Sequence, residues 1–290
     1  MGKATSSKGV RTFVDGRWHT GSPHMLGAQT HAVWLASVVF DGARAFSGGA
    51  PDLDRHCVRL VASARILGLE PMLTASEIES LSREGIERFP RNSELYICPM
   101  FFASEGFVVP DPASTRFVLS IYESPLPQPT GFTACLSSFR RPARDMAPTE
   151  AKASCLYPNV ARVAREARDK GFDTAVVRDP NNNVAEFAFT NLFLAKDGVV
   201  YTPAPNGTFL NGITRQRIIA LLRDDGVEVM ERAIDFQEVL AADELFASGN
   251  YAKVQPCVRI ENRMLQPGPF YERARQLYFD WAISESSRQS

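Results

Sequence analysis

Apolar positions change period several times along the chain, and each change marks an element. Residues 12–18 read as a strand folding back at Asp15-Gly16, a dipeptide that suits a tight hairpin turn. The run 32–40 is almost wholly apolar and short enough for a buried strand or a buried helix. From Asp54 the period lengthens: Cys57, Leu60, Val61, Ala64 and Leu67 recur at helical spacing, and Gly68 ends the pattern. Thr74 followed by Glu77 is a capping box that opens a second helix, running to about Phe89. Residues 94–103 and 115–122 read as strands.

The segment Ser124-Pro-Leu-Pro-Gln-Pro-Thr-Gly131 then breaks all periodicity. Its alternating prolines cannot continue a helix or a central strand. Residues 125–131 are therefore expected to link a smaller N-terminal α+β domain, 1–124, to a larger C-terminal domain, 132–290. Beyond the linker, 159–170 reads as a helix with Val160, Val163, Ala164 and Ala167 on one face and Gly171 at its end. Short strands are expected at 174–178, 191–195 and 199–201, then a helix over 214–225 closed by Gly226. Strands at 227–230, 244–247 and 253–258 precede a last helix over about 269–282. Helices and strands are interspersed without a βαβ rhythm and without internal repeats, which makes the fold class α+β.

Composition narrows the function. The chain is 44% hydrophobic and 22% charged, which excludes a disordered or fibrous protein. Its 32 basic and 33 acidic residues leave a formal charge of -1, so no electrostatic case arises for nucleic acid or an anionic membrane. The apolar run 32–40 is less than half of the ~20 residues a spanning helix needs. Residues 1–12 are polar, with Lys3 and Lys8 and no apolar stretch behind them; we expect a floppy tail rather than a signal peptide. Five widely spaced cysteines without a C-x-x-C fit reduced thiols and a cytoplasmic protein. G-x-G-x-x-G, P-loop and G-x-S-x-G motifs are absent, and His19, His24, His31 and His56 lack zinc-ligand spacing, so no metal is expected. The chemistry must come from Lys, Tyr, Glu, Arg or a cofactor they hold.

Lysine is scarce: Lys3, Lys8, Lys152, Lys170, Lys196 and Lys253. Lysine can form a Schiff base and arginine cannot. Lys3 and Lys8 lie in the tail, while Lys170 and Lys196 stand before glycine turns, at positions suited to solvated side chains. Lys152 and Lys253 lack so simple an explanation. Lys152 stands among small and apolar residues in Thr149-Glu-Ala-Lys-Ala-Ser-Cys-Leu-Tyr-Pro158, where burial would favour a neutral amine.

Five ordered motifs carry a resemblance. They are Ala151-Lys-Ala with Tyr157; Glu186 followed by Thr190-Asn-Leu-Phe193; Gly198-Val-Val-Tyr-Thr-Pro203; Leu210-Asn-Gly-Ile-Thr-Arg215; and Ala242-Asp-Glu-Leu-Phe246. Together they resemble the class IV, fold-type IV pyridoxal-phosphate enzymes, the D-amino-acid-aminotransferase-like fold. Val39-Phe-Asp-Gly-Ala-Arg44 and Arg55-His-Cys-Val-Arg-Leu60 resemble the aminotransferases of the family, and the chain as a whole is most similar to branched-chain aminotransferase-like proteins. The resemblance implies pyridoxal 5′-phosphate as cofactor, with Lys152 as the catalytic amine and proton shuttle. Glu186 would face the pyridine nitrogen, and Tyr157 the phenolate oxygen. The phosphate would fall to Arg59, to Gly212, Ile213 and Thr214 at a helix N-terminus, and to Asn250, where the family usually has Thr or Ser. Phe40, Arg44, Tyr96 and Tyr251 would contact substrate, with Trp34, Met100 and Phe189 adding apolar lining.

The implied reaction transfers an amino group from a hydrophobic, branched-chain amino acid to a 2-oxo acid such as 2-oxoglutarate, in a homodimer. Alternatives on the same fold are a D-amino-acid or (R)-amine transaminase and an aminodeoxychorismate-type lyase. Two departures bear on the substrate. Tyr96-Ile-Cys98 keeps the family's tyrosine and loses an arginine that helps the substrate carboxylate, and Leu35 stands where a second tyrosine is usual. Arg44 or Lys253 could compensate, or the substrate could lack an α-carboxylate.

Overall fold

The computed structural model describes residues 9–288. Residues 1–8 of the expected tail lie outside that range, but Val10 to Thr12 belong to the first strand rather than to a tail. The chain divides into two compact units: everything up to Leu126 with Ala151–Cys155 and the chain from Ala282 onward, and Pro127–Glu150 with Leu156–Trp281. The break falls inside the proline-rich segment, but the lysine segment Ala151–Cys155 groups with the first unit rather than with the residues around it.

In the first unit, β1 (Val10–Val14) and β2 (Arg17–Thr20) form the hairpin expected from Asp15-Gly16. Both turn residues have positive φ, 52° and 76°, as a tight turn matched to strand twist requires. The apolar run splits into α1 (His31–Leu35) and β3 (Val38–Phe40), separated by Ala36 at φ 56°. Next come β4 (Ala43–Ala45), α2 (Leu53–Ile66), α3 (Ala75–Ile86), β5 (Leu95–Ala103) and β6 (Thr115–Glu123). The antiparallel sheet runs β2-β1-β6-β5-β3, with β4 also on β5. The apolar stripe of α2 supplies Cys57, Leu60, Val61 and Ala64 to a core shared with Ile78, Ile97, Phe101 and Ile121. The Thr74–Glu77 capping box forms as the spacing predicts. Gly85 is needed where α3 meets the sheet, because a Cβ there would collide with Trp18 and Ile121.

The second unit holds β7 (Phe132–Arg140), β8 (Thr174–Arg178), β9 (Val184–Phe187), β10 (Asn191–Lys196), β11 (Val199–Pro203), β12 (Val229–Arg232), β13 (Glu244–Gly249), β14 (Lys253–Ile260) and β15 (Arg263–Met264). Its helices are α4 (Tyr157–Asp169), α5 (Ile213–Asp224), α6 (Phe236–Ala241) and the part of α7 (Pro269–Arg288) up to Trp281. Strand order is β12-β11-β10-β13-β14-β7-β8-β9, with β15 beside β14. β11/β12, β14/β7 and β7/β8 pair in parallel and the remaining pairs are antiparallel, so the sheet is mixed. Leu192, Leu194, Leu245, Ala247 and Cys257 form its core with Ile234 and Val239. The α+β class stands. Among the described residues no helix is long and apolar enough to cross a membrane, and all five cysteines are free thiols.

Candidate functional site

The first unit positions Lys152 through its backbone. Phe40 N donates to Lys152 O at 3.1 Å, Ala153 bridges Val39 antiparallel, and Lys152 N donates to Ser63 Oγ at 3.0 Å. Ala151 and Ala153 are fully buried, while Lys152 itself is half-buried. The small neighbours let the main chain press against β3 and α2, and the side chain lies with Nζ 4.8 Å from the centre of the Phe40 ring.

Beside it stands a group that the sequence shows only as part of a motif. The Asp41 carboxylate is wholly buried and accepts from Arg59 Nε at 2.7 Å, Arg59 Nη2 at 2.8 Å and Gly42 N at 2.7 Å. His56 Nδ1 is 2.7 Å from the same carboxylate. Burial alone would raise the Asp41 carboxyl; Arg59 and His56 outweigh it and hold the group far below the usual carboxylate range. The two-pronged grip fixes the plane of the Arg59 guanidinium. A carboxyl lowered by folding adds stability above its unfolded pKa of ~3.9 and loses it as pH falls toward the folded value. Asp41→Asn should therefore lower unfolding free energy at pH 7 by ~3–5 kcal/mol, because it removes the buried anion that Arg59 and His56 contact. Urea titrations should show that gap narrowing below about pH 4.

The expected substrate contacts divide. Tyr96 is half-buried on β5, stacked on Tyr122 with ring centres 5.4 Å apart. Cys98, at the family's arginine position, is pushed up to about 12 by burial, with Asp41 adding to the effect, so it is an uncharged thiol. Arg44, expected at the substrate, is enclosed within the first unit. It is 0% exposed and its guanidinium donates to the backbone and hydroxyl oxygens of Ser124, which ties β4 to the end of β6. Met100 packs into a cluster with Val14, Ala32, Phe102 and Val118. Trp34 is half exposed on α1.

In the second unit, Glu186 is buried on β9 with Arg141 Nε 3.4 Å from Oε1, and Arg141 Nε also donates to Thr208 O at 3.0 Å. Tyr157 opens α4 and is partly exposed, as are Tyr251, in the turn after β13, and Phe189. Gly212 is the N-cap of α5 and has no room for a side chain, because the Asn191 amide fills that place. Asn191 also pairs across the sheet with Ser248, so one residue joins the start of α5 to the end of β13. First-turn amides of a helix have no intrahelical acceptor. Nearby in the chain's motifs, Thr214 Oγ1, Ser248 Oγ and Asn250 Nδ2 are buried without a hydrogen-bond partner. Each such donor costs ~1–3 kcal/mol if nothing accepts from it. Backbone amides, two hydroxyls and an amide, all donors, match a phosphate, so these residues fit the phosphate end of the implied cofactor.

Arg141, Asp41 and Asn191 were not singled out by sequence reasoning. Asp41 and Asn191 do sit inside quoted motifs, and a charged or amide residue in an otherwise apolar stretch is the signal that marks them. Arg141 carries no such signal.

Comparison with known proteins follows the same lines. Residues 38–260 match the family model described as amino-transferase class IV. A branched-chain-amino-acid aminotransferase of Pseudomonas aeruginosa is 32% identical over 280 residues, covering 91% of this chain and 89% of that protein. The structure of an aminotransferase from Brucella abortus with bound PLP is 49% identical, with a TM-score of 0.93, covering 94% of this chain and 99% of that one. The branched-chain aminotransferase structure from Escherichia coli is 30% identical, with a TM-score of 0.89 over 96% of each chain.

Proposed function

Because the chain belongs to the class IV aminotransferase family, we propose that it moves the amino group of a hydrophobic, branched-chain amino acid to a 2-oxo acid such as 2-oxoglutarate, with pyridoxal 5′-phosphate as cofactor. The fold is the fold-type IV arrangement of its structural relatives. The observation that carries the reading is the set of buried, unpartnered donors at Thr214, Ser248 and Asn250 beside the start of α5. The relatives named branched-chain-amino-acid aminotransferase support the substrate class.

Pyridoxal phosphate, when bound, supplies a carbonyl carbon that condenses with amines and a ring that takes up the electron pair of the Cα–H bond. In the second unit, Thr214, Ser248, Asn250 and the first amides of α5 would hold its phosphate; the family resemblance gives Arg59, gripped by Asp41, the role of a phosphate cation. Glu186, with Arg141 Nε 3.4 Å from its Oε1, would face the pyridine nitrogen and accept its N–H. Tyr157 would donate toward the phenolate oxygen. Lys152 Nζ, as a free amine, takes the proton from the substrate Cα and returns it. Phe40 and Tyr96 offer apolar surface to the substrate side chain.

One observation favours a second reading. With Cys98 neutral and Arg44 wholly buried, the first unit offers no arginine at either position considered for a substrate carboxylate. A transaminase of primary amines has no carboxylate to bind. A panel of L-amino acids, D-amino acids and primary amines, each with 2-oxoglutarate and with pyruvate, separates the two. Leucine, isoleucine or valine should yield glutamate from 2-oxoglutarate. Turnover confined to D-amino acids or amines would overturn the branched-chain assignment.

A homodimer is part of the proposal. Phe107, Val108 and Val109 are 77%, 73% and 75% exposed, and Phe107 lies 6.1 Å, ring to ring, from the half-exposed Trp34. A clustered apolar surface of this kind supports an interface between two copies of the chain. Light scattering should give twice the 32.1 kDa chain mass, and Trp34→Glu combined with Val108→Glu should give monomer. A monomeric wild-type protein with full activity would contradict the dimer.

A further inference from the structure

The turn Ser248-Gly-Asn-Tyr-Ala-Lys253 joins β13 to β14, and it ends on a lysine that is 1% exposed. Lys253 has φ +63°, a backbone conformation uncommon outside glycine. Its Nζ donates to Asn250 Oδ1 at 2.8 Å and lies 5.6 Å from the centre of the Tyr278 ring. An ammonium has three donors and no acceptor, whereas a primary amide accepts at oxygen and donates at nitrogen. A lysine at hydrogen-bond distance therefore selects one of the two amide orientations: Oδ1 toward Nζ, and Nδ2 away from it. That Nδ2 is the buried, unpartnered donor at this turn, in the same segment as the unpartnered Ser248 Oγ. Ser248 is linked through Asn191 to the start of α5 and hence to Thr214.

We propose that Lys253 is a positioning residue for the phosphate of the cofactor: by holding Asn250 Oδ1 it turns Asn250 Nδ2 toward the anion. This rests on the reading of the chain as a pyridoxal-phosphate enzyme. A threonine or serine at position 250 would need no such control, because a hydroxyl both donates and accepts and rotates to suit its partner. An asparagine turned the wrong way would present a carbonyl oxygen to a phosphate, acceptor against acceptor. Lys253 thus makes asparagine usable where the family's usual residue is a hydroxyl.

The test is equilibrium dialysis of the full-length protein against pyridoxal phosphate and, separately, against pyridoxal, which lacks the phosphate. Wild type that retains no pyridoxal phosphate would overturn the function proposed above rather than the role of Lys253. With wild type binding, Lys253→Met should weaken pyridoxal phosphate by about tenfold, as loss of one well-placed hydrogen bond to a charged group implies, and leave pyridoxal unchanged. In an Asn250→Thr background the same Lys253→Met change should alter pyridoxal phosphate affinity less than about twofold, since the two positions are coupled only through the amide. Lys253→Arg, which can still donate to Oδ1, should restore affinity. Asn250→Asp keeps an acceptor for Lys253 and removes the Nδ2 donor, so it should weaken pyridoxal phosphate alone; this variant decides the matter if Lys253→Met does not fold. Equal retention of pyridoxal phosphate by wild type, Lys253→Met and Asn250→Asp would overturn the proposal. So would a tenfold loss that persists unchanged in the Asn250→Thr background, because Lys253 would then act by charge and not through Asn250.

Discussion

Lys152→Ala is expected to slow transamination by at least ~10³-fold, about 4 kcal/mol of barrier, since a positioned acid–base group alone contributes ~10²–10⁴-fold. The protein should stay folded. The contacts that seat this segment are main-chain bonds to Phe40 and Ser63, which alanine keeps. The phosphate donors at Thr214, Ser248 and Asn250 are untouched, so pyridoxal phosphate should still bind, without a covalent bond to the chain. Small amines added to the assay should recover part of the rate, because they supply the missing base. Stopped-flow half-reactions with leucine measure this directly. A Lys152→Ala protein that transaminates at the wild-type rate would mean that another amine does the chemistry.

Glu186→Gln should slow the proton-transfer step by at least ~10²-fold, about 2.7 kcal/mol. The carboxylate favours a protonated pyridine nitrogen by placing an opposite charge beside it. Glutamine keeps the size and some hydrogen bonding but removes the anion, so the ring accepts the Cα electrons poorly. Arg141 loses its ion-pair partner at 3.4 Å but keeps its bond to Thr208 O. Cofactor retention should fall less than the rate does. Single-turnover kinetics beside a dialysis measurement separates the two. Wild-type rates with bound cofactor would show that Glu186 is not the pyridine partner.

Features set by near neighbours were legible in the sequence. The Thr74–Glu77 cap of α3, the Asp15-Gly16 turn and the glycine stops after α2, α4 and α5 depend on a few adjacent residues, and all form. The start of α5 was equally legible, because Gly212-Ile-Thr214 signals a helix N-terminus by itself. β7 was missed. Its Ser137 and Ser138 break the apolar pattern, and they are satisfied by Glu166 on α4, a partner that only the folded sheet supplies. β9 was missed because it is four residues long and follows a polar turn. The short helix α6 carries a capping box at Asp235 and Glu238 that could have revealed it.

The same distinction governs the site. Lys152, Tyr157 and Glu186 are identified by chain order and motif. Arg44 looked like a cation for a substrate carboxylate because its partner, Ser124, lies on the far side of the first unit's sequence. Asp41 gave no sign of its grip on Arg59, which requires α2 to pack against the end of β3. Lys253 stood out as unexplained in the sequence; the structure buries it with its Nζ on Asn250 Oδ1.

The central claim is that Lys152 is the amine that carries pyridoxal phosphate. Borohydride reduction of the purified holoenzyme, followed by proteolysis and mass spectrometry, tests it most directly. The pyridoxyl mass is expected on the peptide containing Lys152 and on no other lysine; a label on Lys253, or a protein that reduction leaves unlabelled while it remains active, would show that Lys152 is not that amine.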